Sequence, residues 1–248
     1  MCESNQLSTD KILLATVDLV SKLQPKLPAK HLDIGSGTGE LIKLLREKME
    51  IESTACDYTS ALMKLDIKVD VVNLNTEKLP YADNSFDIVT MTEVVEHLEH
   101  YRETLQEAYR VLRKDGILVV STPNILNLKS RIRFLFFGFY NLFGPLHFKE
   151  SNLHTTGGHI TPISLFYLVH SFVDAGFSEI QIRIDKRQKS SLLWLVFLYF
   201  PIKFFSALLM RKEKDTYKTI DEHNESFVKK INSLDILLGR TIIVGGRK

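Results

Sequence analysis

A chain of 248 residues, 44% hydrophobic and 25% charged, is ordinary for a globular protein and long enough to bury a full core in one large α/β domain. Its formal net charge of +2 supplies no global basic field of the kind that argues for nucleic acid. Two cysteines, Cys2 and Cys56, one of them at the chain start, argue against a structural disulfide and for a reducing compartment; "MCESNQLSTDK" does not read as a secretory signal, and a cytoplasmic location is expected.

Ser8-Thr9-Asp10 can cap a helix whose apolar positions Ile12, Leu13, Thr16, Val17, Val20 and Leu23 recur at helical spacing. "KHLDIGS" then reads as a buried strand and "GELIKLLREKM" as an amphipathic helix. "ESTACDYT" is a second strand ending at Asp57, "VDVVNLN" a third, "SFDIVTMTEV" a fourth and "GILVVSTPN" a fifth. Between the last two, "YRETLQEAYRVLRKDG" is expected to be a helix stopped by Gly116. "ISLFYLVHSFVDAG" is an apolar helix, and "SEIQIRID" and "TIIVGGRK" are late strands separated by about 55 residues. Strands alternating with helices predict a parallel sheet covered by helices on both faces.

The stretch "HLDIGSGTGE" carries the first chemistry. A strand running into a glycine-rich turn and then a helix makes a nucleotide site: glycines let the backbone approach a ligand, and the helix start offers free N–H groups. The dinucleotide fingerprint requires a third glycine where this chain has Glu40, which disfavours a nicotinamide cofactor and an oxidoreductase. Asp57 follows Gly39 at the end of the next strand, where a carboxylate can accept both hydroxyls of a ribose.

"LDIGSGTGE", "ACDYT", "LPYADNSFDIVTMTEVVEHL" and "EAYRVLRKDGILVVSTPN" together resemble the class I S-adenosylmethionine-dependent methyltransferases. The likeness is strong over residues 29–125 and closest to the branch with ubiquinone-pathway O-methyltransferases, also termed methyltransferase type 11. It implies an α/β, Rossmann-like doubly wound sheet of seven strands in the order 3-2-1-4-5-7-6, the last antiparallel, with an α-helical, aromatic-rich cap. It also implies S-adenosyl-L-methionine as cofactor. Asp33 and the loop Gly35, Ser36, Gly37, Thr38 and Gly39 would hold its methionine moiety. Asp57 would hold the ribose and Tyr58 pack on adenine. Asn73, Leu74 and Asn75 would meet the adenine edge, and Met91 and Thr92 line the floor. Relatives commonly carry Asp where this chain has Asn73, whose amide oxygen can still accept from the adenine amino group.

In "EVVEHLEH", Glu93, Glu96 and His97 are spaced i, i+3, i+4 and would share one face of a helix. Two carboxylates and an imidazole there can hold a divalent Mg²⁺ or Mn²⁺, which would lower the pKa of a bound hydroxyl. The pattern resembles the metal site of small-RNA 2′-O-methyltransferases and some quinone-ring O-methyltransferases; His159 or His154 would supply a further ligand. Two other readings stay open: His97 as a metal-free general base, with Glu93 and His159 beside it, or a structural role for the whole segment. His31 and His100 are read as surface or packing residues, and His170 as a core or interface histidine.

Ten of the fifteen phenylalanines fall in Phe134–Phe148 and Phe197–Phe205. Lys129, Arg131 and Arg133 accompany the first cluster. Lys186, Arg187 and Lys189 precede the second, and Arg211, Lys212 and Lys214 follow it. Pro201 and Lys203 interrupt Leu192–Met210, which favours a broken helical hairpin or an in-plane helix over a single span; a dry structural cap is the competing reading. The expected organisation is an N-terminal helical lid (1–28), a cofactor-binding core (29–125), a substrate-cap insertion (126–160), a return to the core (161–185), an apolar cap or membrane-contact insertion (186–220), and a final helix and strand (221–248). The function expected is methyl transfer, chiefly to oxygen of a hydrophobic or lipid-linked small molecule, with the protein peripheral on a membrane. A non-catalytic, membrane-associated assembly factor is the alternative.

Overall fold

A computed structural model of the chain describes residues 9–146 and 158–248. Strands β1 (Ala29–Ile34), β2 (Ile51–Asp57), β3 (Val69–Val71), β4 (Phe86–Thr92), β5 (Leu112–Pro123), β6 (Ser178–Ile184) and β7 (Thr241–Arg247) form one sheet in the order β3-β2-β1-β4-β5-β7-β6. Strands β1 to β5 pair in parallel, and β7 runs antiparallel to both β5 and β6. The two late strands therefore pair directly despite the excursion between them.

Helices α1 (Asp10–Lys22), α2 (Glu40–Lys48), α3 (Tyr101–Val111), α4 (Leu128–Phe137), α5 (Leu165–Ala175), α6 (Leu192–Lys212), α7 (Glu225–Lys230) and α8 (Leu234–Leu238) complete the chain. Alternation along β5 shows why two layers form. Ile117 and Val119 join Val17, Val20 and Leu45 of α1 and α2, whereas Leu118 and Val120 join Leu105, Leu168 and Phe172 of α3 and α5. All four β5 side chains are wholly buried, each stabilising the fold by about 1.5–3 kcal/mol.

Several expectations need correction. The described part of the supposed N-terminal lid, α1, is a core layer: Val17, Leu19 and Val20 are fully buried against the sheet. The third strand stops at Val71, and the "NLN" segment is a turn held by Asn75 N–H donating to Asn73 Oδ1 at 3.1 Å. Gly116 does not end α3. The chain turns extended at Leu112 and enters β5 at once; a Cβ at Gly116 would lie 2.8 Å from the Arg113 carbonyl oxygen, so glycine is needed there for close backbone approach. His170 is exposed on α5, which removes the core alternative of its reading; His31 is buried, a packing residue, and His100 is exposed. The last segment holds two short helices before its strand. Pro201 does not divide the apolar insertion: α6 runs unbroken through it for 21 residues.

Candidate active site

The order of the sheet reverses between β1 and β4, and in open α/β sheets ligands bind outside the carboxyl ends of strands at such a point. The glycine loop lies there. Gly35, Gly37 and Gly39 adopt φ of +71°, +50° and +82°, the left-handed region that side chains disfavour. A Cβ on Gly35 would meet Val94 Cγ2 at 2.2 Å, and one on Gly39 would meet Met63 Sδ at 2.7 Å. The loop is thus clamped between the segments that follow β4 and β2. Gly39 opens α2 as its left-handed N-cap.

The loop is laced to β2. Gly35 N–H donates to the Cys56 carbonyl at 2.8 Å. Gly37 N–H donates to Asp57 Oδ2 at 2.8 Å, and Thr59 N–H to Asp57 Oδ1 at 3.3 Å. An ionised carboxylate has about four acceptor positions, so Asp57 can hold the loop and still accept ribose hydroxyls. Tyr58, next in the chain, is half exposed beside it. Asn75 Oδ1 accepts from Glu99 N–H at 2.9 Å, tying the "NLN" turn to the segment after β4; Leu74 packs against the core.

Two expected cofactor contacts lie deeper. Met91 is fully buried in the α3-side core, so it underlies the crevice rather than lining it. Asp33 is also buried. Its Oδ1 accepts from Thr90 Oγ1 at 2.6 Å, Thr90 Oγ1 meets His31 Nε2 at 2.8 Å, and His31 Nδ1 meets Ser53 Oγ at 3.1 Å. Burial, reinforced by the Arg46 charge, pushes His31 down to about 3. Burial raises Asp33 to about 7, opposed by the Thr90 hydrogen bond and aided by the Asp57 charge. Neutral His31 can donate from Nε2 to Thr90 while Nδ1 accepts from Ser53, giving a consistent polar line through an apolar layer. Ser36 and Thr92 keep buried hydroxyls without a partner among the described residues.

The segment after β4 departs from the expected helix. Glu93 has φ of +57°, and only a short 3-10 turn, Val95–His97, follows. Glu93 therefore does not share a face with Glu96 and His97. Ser121 Oγ donates to Glu93 Oε1 at 3.0 Å, and burial pushes the carboxyl up to about 7. Glu96 is fully buried. Thr122 Oγ1 donates to its Oε2 at 3.0 Å, while Oε1 has no partner among the described residues. Burial first, then repulsion from Glu93, raises its pKa well above the usual range.

His159 arrives from downstream. Ile160 and Thr161 N–H groups both donate to the Glu96 carbonyl oxygen at 3.0 Å, strapping the 158–161 segment over the turn. The ligand atoms of Glu96, His97 and His159 all lie within 4.8 Å of one another; Glu93 is not in this cluster. His97 Nδ1 bonds to the Gly158 carbonyl at 3.0 Å and His159 Nδ1 to the Leu142 carbonyl at 2.9 Å. A carbonyl only accepts, so a proton sits on Nδ1 of each ring. Burial lowers the His159 pKa, favouring the neutral ring. His154 lies outside the described residues. The sequence reading missed Ser121 and Thr122, although a polar pair at the carboxyl end of an apolar strand was the available signal.

Residues 32–120 match a family model described as a methyltransferase domain. A ubiquinone/menaquinone biosynthesis C-methyltransferase of Dinoroseobacter shibae is 31% identical over 109 residues, covering 40% of this chain and 44% of that protein. A probable S-adenosylmethionine-dependent methyltransferase of Mycobacterium tuberculosis is 28% identical over 166 residues, covering 64% and 53%. The chain thus spans about half the length, or less, of these curated relatives. Among solved structures, a SAM-dependent methyltransferase from Archaeoglobus fulgidus is similar with a TM-score of 0.58 at 19% identity, covering 96% of this chain and 94% of that one. Phosphoethanolamine N-methyltransferase 2 of Haemonchus contortus, solved with S-adenosyl-L-methionine, has a TM-score of 0.53 at 13% identity, covering 94% and 52%. These likenesses show the fold.

Proposed function

Since the chain carries a class I methyltransferase domain, we propose that it transfers a methyl group from S-adenosyl-L-methionine to a hydroxyl-bearing, lipophilic small molecule met at a membrane surface. The observation that carries this is the adjacency of two features at one switch point: the glycine loop tied to Asp57, and the Glu96–His97–His159 cluster behind Val94. The relatives named above support the cofactor.

The loop amides and Asp57 bind and orient the cofactor, and Tyr58 covers its adenine. Methyl transfer is an in-line displacement at the sulfonium carbon, so alignment of nucleophile and methyl contributes about 7–11 kcal/mol. The acceptor hydroxyl must also lose its proton. His97 Nε2 accepts that proton, with His97 held by Gly158 and Glu96 beneath it. Alternatively, the same three side chains fit a divalent cation. Their ligand atoms converge, the Glu96 Oε1 has no partner among the described residues, and backbone carbonyls orient both rings in the manner of metal-bound histidines. A bound Mg²⁺ or Mn²⁺ would lower the pKa of a coordinated hydroxyl.

A second reading is methylation at carbon. The similarity to ubiquinone/menaquinone C-methyltransferases favours it, and a phenolic ring needs the same deprotonation before carbon attacks.

Calorimetry should show S-adenosylmethionine binding, and Asp57→Ala should lose about 1.5–3 kcal/mol of it. Turnover on phenolic and quinol lipids, with product analysis, separates oxygen from carbon. If a cation is used, chelator abolishes activity and Mg²⁺ or Mn²⁺ restores it; indifference to chelator leaves His97 as the base. Failure of the wild-type chain to bind the cofactor would remove the proposal.

A further inference from the structure

Helix α6 presents an apolar surface that nothing among the described residues covers. None of its residues is buried, and the helical run Lys189–Tyr217 is long and apolar enough to cross a membrane by length and composition. Its exposure is organised. Val196, Phe197, Phe200 and Phe204 are 63–78% exposed and share one face at helical spacing. Leu195, Tyr199, Ile202, Ser206 and Met210 are only partly exposed and share the opposite face. That inner face is tied to the body: Asn232 Nδ2 donates to Ser206 Oγ at 3.0 Å, and Ile202, Ser206 and Met210 line a cleft with Arg131, Val228 and Ile231.

Helix α4 contacts α6 and adds apolar surface of its own. Leu135, Phe136 and Phe137 at its end are 57–80% exposed. Soluble monomers rarely expose more than a few hundred Å² of contiguous apolar surface. Three phenylalanines of α6 and two of α4 alone offer on the order of 600 Å². The charge is one-sided as well. Asn124–Leu146 holds three cations and no acid, and Lys186–Lys212 holds six cations and no acid. Lys203 sits mid-helix, on the flank between the two faces.

We propose that α4 and α6 form a monotopic platform that inserts into one leaflet of an anionic membrane, with α6 lying in the plane of the bilayer. A spanning α6 would have to carry Lys203, Ser206 and its Asn232 partner into the hydrocarbon, together with the α7 segment fixed to it. An in-plane α6 keeps its inner face on the protein, its phenylalanines among the acyl chains and its terminal cations at headgroups. The platform extends the proposed function by bringing a lipid-soluble acceptor to the fold, but does not depend on it: a chain unable to transfer methyl would dock equally well.

Trp194 is the only tryptophan and lies on α6, so it reports docking directly. Full-length protein should float with vesicles containing anionic phosphatidylglycerol at least tenfold more strongly than with neutral phosphatidylcholine vesicles, and about 0.5 M salt should weaken that binding several-fold. Phe136→Ser with Phe200→Ser should abolish flotation while the melting transition and cofactor binding stay intact. In a Trp194→Phe background, tryptophan placed at position 197, 200 or 204 should be quenched by brominated lipids at one common, shallow depth. A progressive depth along the helix, with resistance to alkaline extraction, would instead establish a span. Absence of vesicle binding from a folded, cofactor-binding protein, or concentration-dependent dimers whose formation blocks it, would overturn the proposal in favour of a dry cap or a second copy.

Discussion

Asp33, Thr90 and His31 illustrate what a residue can do when the same letters mean different things in different surroundings. The glycine turn and the strand-end place of Asp57 were legible because a backbone conformation and a strand end are both visible as spacing. The Ser53–His31–Thr90–Asp33 line was not, because it joins three strands through cross-strand neighbours that only the sheet order reveals. Its titration has a consequence for stability. Asp33 has a folded pKa raised from 3.8 to about 7, so its contribution is full below the unfolded value and is lost as pH rises through the folded one. His31, lowered from 6.5 to about 3, contributes above its unfolded value and loses that as pH falls. Asp33→Asn keeps an oxygen for Thr90 and cannot ionise. Relative to wild type, the variant should therefore gain about 2 kcal/mol of unfolding free energy between about pH 5 and pH 8. Denaturant melts at both pH values check this, and a constant difference would mean that Asp33 does not titrate in that window.

Among elements, the turn after β4 and helix α6 are where local rules misled in opposite directions. Helical spacing of Glu93, Glu96 and His97 suggested one face, but Glu93 is drawn into a left-handed turn. Its N–H donates to the Ser121 carbonyl at 3.2 Å, and its carboxyl accepts from Ser121 Oγ. Partners on a neighbouring strand outweighed a periodicity too short to nucleate a helix. Pro201, conversely, left a broken hairpin or an in-plane helix open, yet the helix continues past it, since a proline removes only one internal hydrogen bond. The turn also presses on the glycine loop, which gives a test. Gly35→Ala places a methyl against Val94 Cγ2, 2.2 Å away, at φ +71°. Left-handed backbone alone costs about 1–2 kcal/mol, so the loop or the turn must move. Cofactor affinity should fall at least tenfold, and Val94→Ala in the same chain should restore part of it. Unchanged affinity in Gly35→Ala would show that the loop does not set the cofactor's position.

At the scale of the whole molecule, the sheet order was legible only through resemblance, since no local pattern specifies that the strand ending the chain enters between the fifth and sixth. The structure shows how the excursion between β6 and β7 leaves that order intact. Its base is closed by main chain: Gln188 N–H donates to the Leu238 carbonyl at 2.8 Å, Arg240 N–H to the Lys186 carbonyl at 3.1 Å, and Arg187 pairs with Gly239. Asn124 Nδ2, at the end of β5, donates to the Ile236 and Gly239 carbonyls at 2.7 and 2.9 Å, fixing α8 from the other side. Residues 190–232 therefore hang from a stem that folds with the core, and loop length adds little to closure entropy, about 0.6 kcal/mol per doubling. Replacing 190–232 by a short glycine-serine linker should leave a folded domain. The loss is confined to contacts such as Phe227 against the core and the bond from Arg131 to the Ile231 carbonyl, and the melting temperature should drop by a few degrees. S-adenosylmethionine binding should persist within about threefold, because the hydrogen bonds described above for the glycine loop, Asp57 and the Glu96 cluster come from residues outside 190–232. Vesicle binding should be lost. If the excised chain fails to fold, or folds and no longer binds the cofactor, the excursion is part of the core rather than an attachment to it.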